Sequence, residues 1–435
     1  MKGIFANRSR TFLVLAVLGL ALRFGFVFAA SDNQITFHSG GSDAPLYVLL
    51  AQNLLNQDGF TYAHQPTAFR PPGYPVLLAG FMAMFGRRYI FAVRMLQLLL
   101  GIFTVVICSS ATLRLSGRRA AEAAFVFGLF LPTLIFSTAQ MLTECLAAFL
   151  TALYLRYMVI QVEQSDTGSA WGMGLTTGAE ALVRYNAAAL APLAAWTVLR
   201  SRGQKARISR IAIVLLVPLL VVTPWLIRNE IAFHGRVLFS TQSGTAAVMG
   251  VVMPQGRSNP DDIEKMRAAM PWWTEPLETN SPARLALPSE AEINRRALRA
   301  VPGLWAQEGW HAIPLLATKL AAFWLSTDQV IDTEALPMRE RLIRDGGVLA
   351  YWVVLVFAVC GWFALRGTHP RMASLLLVYA VGYTVLHLPL VMNTRLRIPL
   401  MDPLVVILSG SGWAWFVERM GWTREVPGAG SRVEV

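Results

Sequence analysis

The stretch "TFLVLAVLGLALRFGFVFAA", residues 11–30, decides the class of this protein. It follows the basic start "MKGIFANRSR" and at first sight resembles a secretory signal. A cleaved signal has an apolar region of roughly 7–15 residues and small residues before the cut. Here the apolar run is about as long as the ~20 residues that cross a hydrocarbon core. Phe28 also stands where a small residue is wanted before a cut after Ala30. The segment reads as a retained first span.

Similar runs recur along the 435 residues, at 89–112, 120–137, 144–160, 170–183, 186–200, 210–227, 346–365, 372–390 and 398–416. About ten spans are therefore expected in an all-α polytopic membrane protein, the one at 170–183 being short and Gly-rich. Composition agrees, with 15% charged residues and a mean hydropathy of +0.48. Soluble domains carry about 25% charge, so lipid is the expected main solvent.

The net charge of +12 does not imply nucleic acid, because the basic residues form no contiguous patch. They sit in short clusters between apolar runs, which is an orientation signal. With the N-terminus cytoplasmic, Lys2, Arg8 and Arg10 lie inside, as do Arg114, Arg118 and Arg119. Arg200, Arg202, Lys205, Arg207 and Arg210 follow on that side, then Arg366, Arg371, Arg419 and Arg424. Both termini are thus expected in the cytoplasm. Segments 31–88 and 228–345 fall outside. The expected units are an N-terminal membrane module (1–227) including the first outer loop, an outer segment (228–345), C-terminal membrane helices (346–418) and a tail (419–435). The stretch 311–325, short and carrying Lys319, is expected to lie along the outer surface rather than to cross.

The first outer loop contains "SDAPLYVLLAQNLLNQDGF", 42–60, an amphipathic helix with Leu46, Leu50 and Leu54 every fourth residue beside Tyr47 and Ala51. Ser42 or Asp43 can cap its start, Pro45 suits its first turn, and Gly59 can end it. Asp43 is then a capping carboxylate, a general base held by a rigid helix start, or both. Next comes "RPPGYPVLLAGF", 70–81. Pro71 holds Arg70 extended, and a short helix 73–85 follows. A guanidinium fixed at the boundary either binds a phosphate bidentately or snorkels to the surface.

Glu144 opens the fourth span, as a cap or as a site carboxylate. Arg395 and Arg397 stand at the outer mouth of the last span, against the orientation bias. Asp402, a turn further in, pairs with one of them or lines a wet cavity. Arg228 and Asn229 follow Pro224 and Trp225, where the chain is expected to leave its seventh span; they touch a headgroup or simply mark the boundary.

His38, His64, His234 and His311 lack ligand spacing, and Cys108, Cys145 and Cys360 read as small buried hydrophobes. There is no phosphate-loop, dinucleotide or nucleophile-elbow motif. Carboxylates and arginines on one membrane face remain, a set suited to transfer from a lipid phosphate.

In order, the runs Asp43–Tyr47–"LAQNLL", "RPPGYPVLLAGF", "TECLAAFL", "ALVRYN" (181–186), "TPWLIRNEIAFHGRVLFSTQSG" (223–244) and "TRLRIPL" resemble the GT-C membrane glycosyltransferases. The similar branch is that of bacterial protein O-mannosyltransferases and the lipid A aminoarabinose transferase. The resemblance implies a sugar donor on a polyprenyl phosphate, a lipid, glycan or protein acceptor on the extracytoplasmic face, and inversion at the anomeric centre. It implies Asp43 as catalytic carboxylate, Arg395 and Arg397 and then Arg70 at the leaving phosphate, and Tyr47, Tyr74, Glu144 and Arg228 as further donor-binding candidates. No cofactor is expected. Relatives often carry an Asp-Glu pair where this chain has Asp43–Ala44, which argues against a metal bridged by adjacent carboxylates and leaves metal dependence open. The competing classes are a transporter or flippase of lipid-linked sugars, which calls for repeats and midplane charges, and a non-catalytic scaffold. Asp43 separates them.

Overall fold

The computed structural model describes residues 10–29, 43–235, 237–253, 260–270, 289–326, 338–392 and 394–421. Lys2, Arg8, His38, Ser42, Arg424 and much of the polar part of segment 228–345 lie outside them.

The first span is helix α1 (Arg10–Ala29). The first outer loop holds α2 (Ala44–Leu55), a two-residue-turn hairpin β1 (Thr61–Tyr62) and β2 (Gln65–Pro66), and α3 (Gly73–Phe85). Helix α2 stops at Asn56, before Gly59. Then come α4 (Tyr89–Phe130), α5 (Pro132–Ser137), α6 (Glu144–Gln164), α7 (Thr167–Val183), α8 (Leu190–Arg200) and α9 (Arg207–Phe233). The later elements are α10 (Ser243–Val252), α11 (Pro260–Ala269), α12 (Glu290–Glu308), α13 (Ala312–Leu325), α14 (Met338–Thr368), α15 (Pro370–His387) and α16 (Thr394–Arg419).

Among the described residues six helical stretches are long and apolar enough to cross a membrane. One of them, Gly73–Phe130, contains the expected span 89–112 and the first part of 120–137. Helix α4 reverses at Gly117, whose φ of 76° suits a residue without Cβ. Beyond the turn Ser109 Oγ donates to Ala121 O at 2.7 Å and Val105 packs on Gly128, so the two arms run antiparallel. The expected span 120–137 is not continuous: Leu131 is extended and Pro132 starts a separate turn. The expected span 186–200 begins as a 3-10 turn, Tyr185–Ala189, before α8. Helix α9 does not end at Pro224 and Trp225 but passes through Pro218 and Pro224 to Phe233.

Helix α16 is the buried centre of the bundle, and α4 and α14 pack on it. A Cβ on Gly361 would meet Leu408 O at 1.9 Å, and one on Gly412 would meet Phe357 O at 1.9 Å. Glycine at both points lets the α14 and α16 backbones touch, the close approach on which helix association in lipid relies. The outer faces carry Val14, Val17, Leu18, Phe28, Leu216, Leu220, Val356 and Val385, all exposed apolar residues, as a lipid-facing surface requires.

One span carries a charge that the apolar pattern hides. Arg23 in α1 is fully buried; its Nε donates to Leu129 O at 3.0 Å and its Nη2 to Gly128 O at 2.6 Å. The residue four beyond Gly128 is Pro132, which has no N–H to offer that carbonyl. Arg23 thus supplies donors where the second arm of α4 ends, satisfying carbonyls that lipid cannot.

Helix α13 has 14 residues, about 21 Å at 1.5 Å per residue, and is not among the crossing stretches. Lys319 is buried beneath it, donating to Gly250 O at 2.9 Å and also to Leu388 O. Trp310, Ile313 and Leu325 stay exposed.

Candidate functional site

Two groups of paired charges lie at opposite ends of α6. At one end of α6, Glu163 pairs with Arg114 at 3.0 Å. The helix is 21 residues long, so its other end lies about 30 Å away. There Glu144 meets Arg395 of α16 and Arg184, which follows α7. Residues expected on opposite sides of the membrane thus gather at opposite ends.

Asp43 occupies the N-cap position of α2, yet its side chain makes no capping hydrogen bond. The carboxylate instead accepts from Arg70 at Oδ1 and from Arg395 Nη2 at Oδ2, the latter at 3.1 Å. Arg395 also donates through Nε to Glu144 Oε1 at 3.0 Å, and Arg184 Nη2 reaches the same oxygen at 3.1 Å. Arg184 Nε donates to Thr143 Oγ1 at 2.9 Å. The result is an alternating chain, Arg70–Asp43–Arg395–Glu144–Arg184, drawn from five segments of sequence. Three guanidinium groups face two carboxylates, leaving one excess positive charge.

Local folding explains the convergence. Pro71 and Pro72 start α3, and a Cβ on Gly73 would meet Leu182 O at 2.7 Å. Only a glycine allows the start of α3 to lie against the end of α7, which draws Arg70 toward Arg184. Tyr47 and Tyr74 meet edge to face at 5.3 Å and form the floor. Tyr74 Oη donates to Gln97 Oε1 at 2.8 Å, and Gln97 Nε2 donates to Thr138 O and Gln140 O at 2.9 and 2.8 Å. These bonds hold α3 and α4 to the turn that leads into Glu144. The Arg70 guanidinium lies over the Phe69 and Tyr47 rings at 4.9 and 5.9 Å.

The electrostatics are specific. Burial by itself raises the Asp43 carboxyl, but Arg70 and Arg395 outweigh it and hold the group below its usual range. It is a carboxylate at neutral pH. Arg70 Nε and Glu144 Oε2 are buried with no hydrogen-bond partner among the described residues.

Several sequence candidates stand elsewhere. Arg397 points away from Arg395, as a two-residue step on a helix requires. It is fully buried, pairs with Asp402 at 3.2 Å, donates to Ser326 O at 2.7 Å and stacks on Tyr351 at 4.0 Å. Asp402 is thereby partnered by an arginine, one of the two roles open to it, and also accepts from Thr133. Arg228 donates to Phe60 O at 2.6 Å and Thr67 O at 2.8 Å and lies over Trp225 at 5.0 Å. It braces the β-hairpin, outside the alternating chain. Glu290 of α12 completes that brace, accepting from Thr67 Oγ1 at 2.7 Å, Thr241 Oγ1 at 2.9 Å and Ala68 N at 3.2 Å.

Sequence reading assigned no role to Arg184, though it lies inside "ALVRYN", nor to Gln97. Arg184 follows α7 at an extended residue, a signal visible only once the helix end is known. Among the described residues no group of three or more His, Cys, Asp or Glu could hold a metal ion.

Residues 69–227 match the family described as dolichyl-phosphate-mannose-protein mannosyltransferase. No curated protein matches the sequence. Among solved structures, the chain is similar to the oligosaccharyltransferase AglB of Archaeoglobus fulgidus in complex with an inhibitory peptide and a dolichol-phosphate. The TM-score is 0.55 at 13% identity, over 95% of this chain and 51% of that one. The same archaeal enzyme tethered to an acceptor peptide gives 0.55 at 14% identity, over 95% and 50%. The chain therefore spans about half the length of that enzyme. ArnT from Cupriavidus metallidurans bound to undecaprenyl phosphate gives a looser 0.46 at 16% identity, over 94% and 79%. The chain has the fold of the GT-C membrane glycosyltransferases.

Proposed function

We propose that this chain is an integral-membrane glycosyltransferase that moves a sugar from a polyprenyl-phosphate carrier to an extracytoplasmic acceptor, with Asp43 as the catalytic base. The observation that carries this reading is the Asp43 carboxylate, which stands at a helix start, caps nothing, and is held between Arg70 and Arg395. The likeness to AglB, whose structure contains a dolichol-phosphate, supports a lipid-phosphate donor.

The chemistry follows from the charges. A donor phosphodiester carries one negative charge, which the excess positive charge of the arginine chain complements. As the sugar leaves, the phosphate becomes a monoester and gains charge, so arginines near it stabilise the transition state more than the ground state. Arg395 and Arg70 are the ligands we assign to it, with Arg184 beside them.

Those arginines rest on Asp43, which depresses its basicity. A base works best with a pKa near the operating pH. Donor binding draws Arg70 and Arg395 onto the phosphate, and the Asp43 carboxyl rises as its counter-ions turn away. The same swap that binds the donor arms the base. The acceptor hydroxyl then loses its proton to Asp43 while its oxygen bonds to the anomeric carbon. The carbon–oxygen bond to phosphate breaks on the opposite face, inverting the centre and releasing the polyprenyl phosphate.

In this reading residues 1–227 form the catalytic membrane module and 228–345 the acceptor-facing segment. Residues 346–418 close the bundle and 419–435 form a cytoplasmic tail. The excess of arginines at the far end argues, by the positive-inside bias, for termini in the cytoplasm of a bacterial inner membrane and a site outside. The test is mass spectrometry of envelope lipids, glycans and proteins from cells lacking the protein, carrying it, or carrying Asp43→Asn at equal abundance. A sugar-sized mass that appears only with the unmodified protein supports the assignment and names the acceptor. The same product from Asp43→Asn refutes it.

A further inference from the structure

At the end of the bundle opposite Asp43, a cavity of about 490 Å³ is lined by Leu199, Arg200, Ser201, Arg202, Gln204, Arg207 and Arg371. Four arginines converge there, from the last residue of α8, the loop after it, the start of α9 and the start of α15. A neighbouring arginine shows what a purely structural role looks like. Arg210 is buried and donates to Gly203 O at 2.7 Å and Lys205 O at 3.1 Å, tying the loop together. The four lining arginines are used differently. Among the described residues none is ion-paired. Arg207 makes a single long bond to Ser201 O at 3.4 Å, with its Nε buried and unpartnered. Arg200 rests on the Trp196 ring at 5.6 Å. Two carboxylates at the same end are engaged elsewhere, Glu163 by Arg114 and Asp166 by the Ser169 N–H.

We propose that this cavity binds a phosphate group, that of an anionic phospholipid in the leaflet opposite the reaction. Four uncompensated guanidinium groups around one concavity favour a multiply bonded oxyanion. The starts of α9 and α15, neither capped by a side chain, add their positive ends to its border. Exposed Trp196, Leu199 and Ile208 flank it, giving acyl chains an apolar edge next to the headgroup. Scattered orientation charges need neither the concavity nor the convergence; basic pockets between membrane helices do bind lipid headgroups.

The test uses the full-length protein purified in detergent. Native mass spectrometry would follow titration with cardiolipin, phosphatidylglycerol or phosphatidylcholine, and separately with inorganic phosphate. Three proteins are compared: the wild type, the triple variant Arg200→Ala, Arg202→Ala, Arg371→Ala, and the control Arg366→Ala, Arg419→Ala. The control removes two same-end arginines that lie over their own tryptophans, Trp362 and Trp415. We expect anionic lipid to be retained over phosphatidylcholine, and the triple variant to bind it on the order of 100-fold more weakly. The control should stay within about twofold. If lipid-free melting shows the triple variant misfolded, Arg→Lys at the same three positions replaces it, with an intermediate loss expected because lysine keeps the charge without the fork. Inorganic phosphate binding as tightly as lipid, with the same dependence on the three arginines, upholds the phosphate site and makes its source a solute. Equal loss in the control and the triple variant, or no preference for any phosphate anion, overturns the proposal.

Discussion

Replacing Asp43 by asparagine should separate catalysis from donor binding in opposite directions. The side chain keeps its size but loses both its charge and its ability to take a proton. Loss of a positioned general base costs about 10²–10⁴ in rate, or about 3–5.5 kcal/mol of barrier. Binding should move the other way. The wild-type chain sets three guanidinium groups against two carboxylates; Asp43→Asn leaves three against one. A phosphate then no longer competes with a carboxylate for Arg70 and Arg395. One unit charge at ~4 Å with an effective dielectric near 20 bounds the gain at about 4 kcal/mol. Reorganisation and the partial exposure of Asp43, 23% for its side chain, reduce this toward a tenfold tightening, about 1.4 kcal/mol. Binding of undecaprenyl phosphate to purified protein, followed by tryptophan fluorescence, reads the second effect without knowledge of the sugar. Product formation, with the acceptor found by envelope analysis, reads the first. A purely structural Asp43 would weaken both together. Donor binding weakened by Asp43→Asn, or turnover within threefold of wild type, would refute the partner swap.

Other perturbations address single links. Arg70→Met should move the acid limb of the rate profile to higher pH: Arg70 helps hold the Asp43 carboxyl low, so removing it means protonation silences the base sooner as pH falls. A profile unchanged in position would show that Asp43 does not limit turnover. Arg397→Met breaks an ion pair in which both side chains are fully buried, and should cost about 3–5 kcal/mol, seen as a lower thermal midpoint. Intact stability with lost lipid-phosphate binding would instead make Arg397 a donor ligand. Glu290→Ala removes the acceptor of three bonds, two of which pin α12 to the first outer loop and the third to Thr241. A loss of about 1–3 kcal/mol should appear as faster hydrogen exchange confined to residues 60–68, and global destabilisation would contradict this local role.

What the sequence made legible follows a physical division. Apolar length is written in composition, so Arg10–Ala29, Glu144–Gln164 and Gly73–Phe85 lie within a few residues of their expected bounds. Helix ends inside apolar runs are not so written. Proline broke the run at Pro132 but not at Pro218 or Pro224; a proline in a lipid-embedded helix is tolerated where neighbours re-satisfy the backbone. Charges divided in the same way. Asp43, Arg70, Glu144 and Arg395 were visible because each stands at the end of an apolar run, where a charge needs a reason. Arg23 and Arg184 were not: one sits mid-span and the other beyond a helix whose end was uncertain. Arg395 and Arg397 show the limit of one-dimensional reading most directly. Two residues apart on a helix, they project about 200° apart, so one reaches Asp43 and the other Asp402. Charge type and depth made both candidates, and only helical phase divided them between the Asp43 cluster and a buried pair with Asp402.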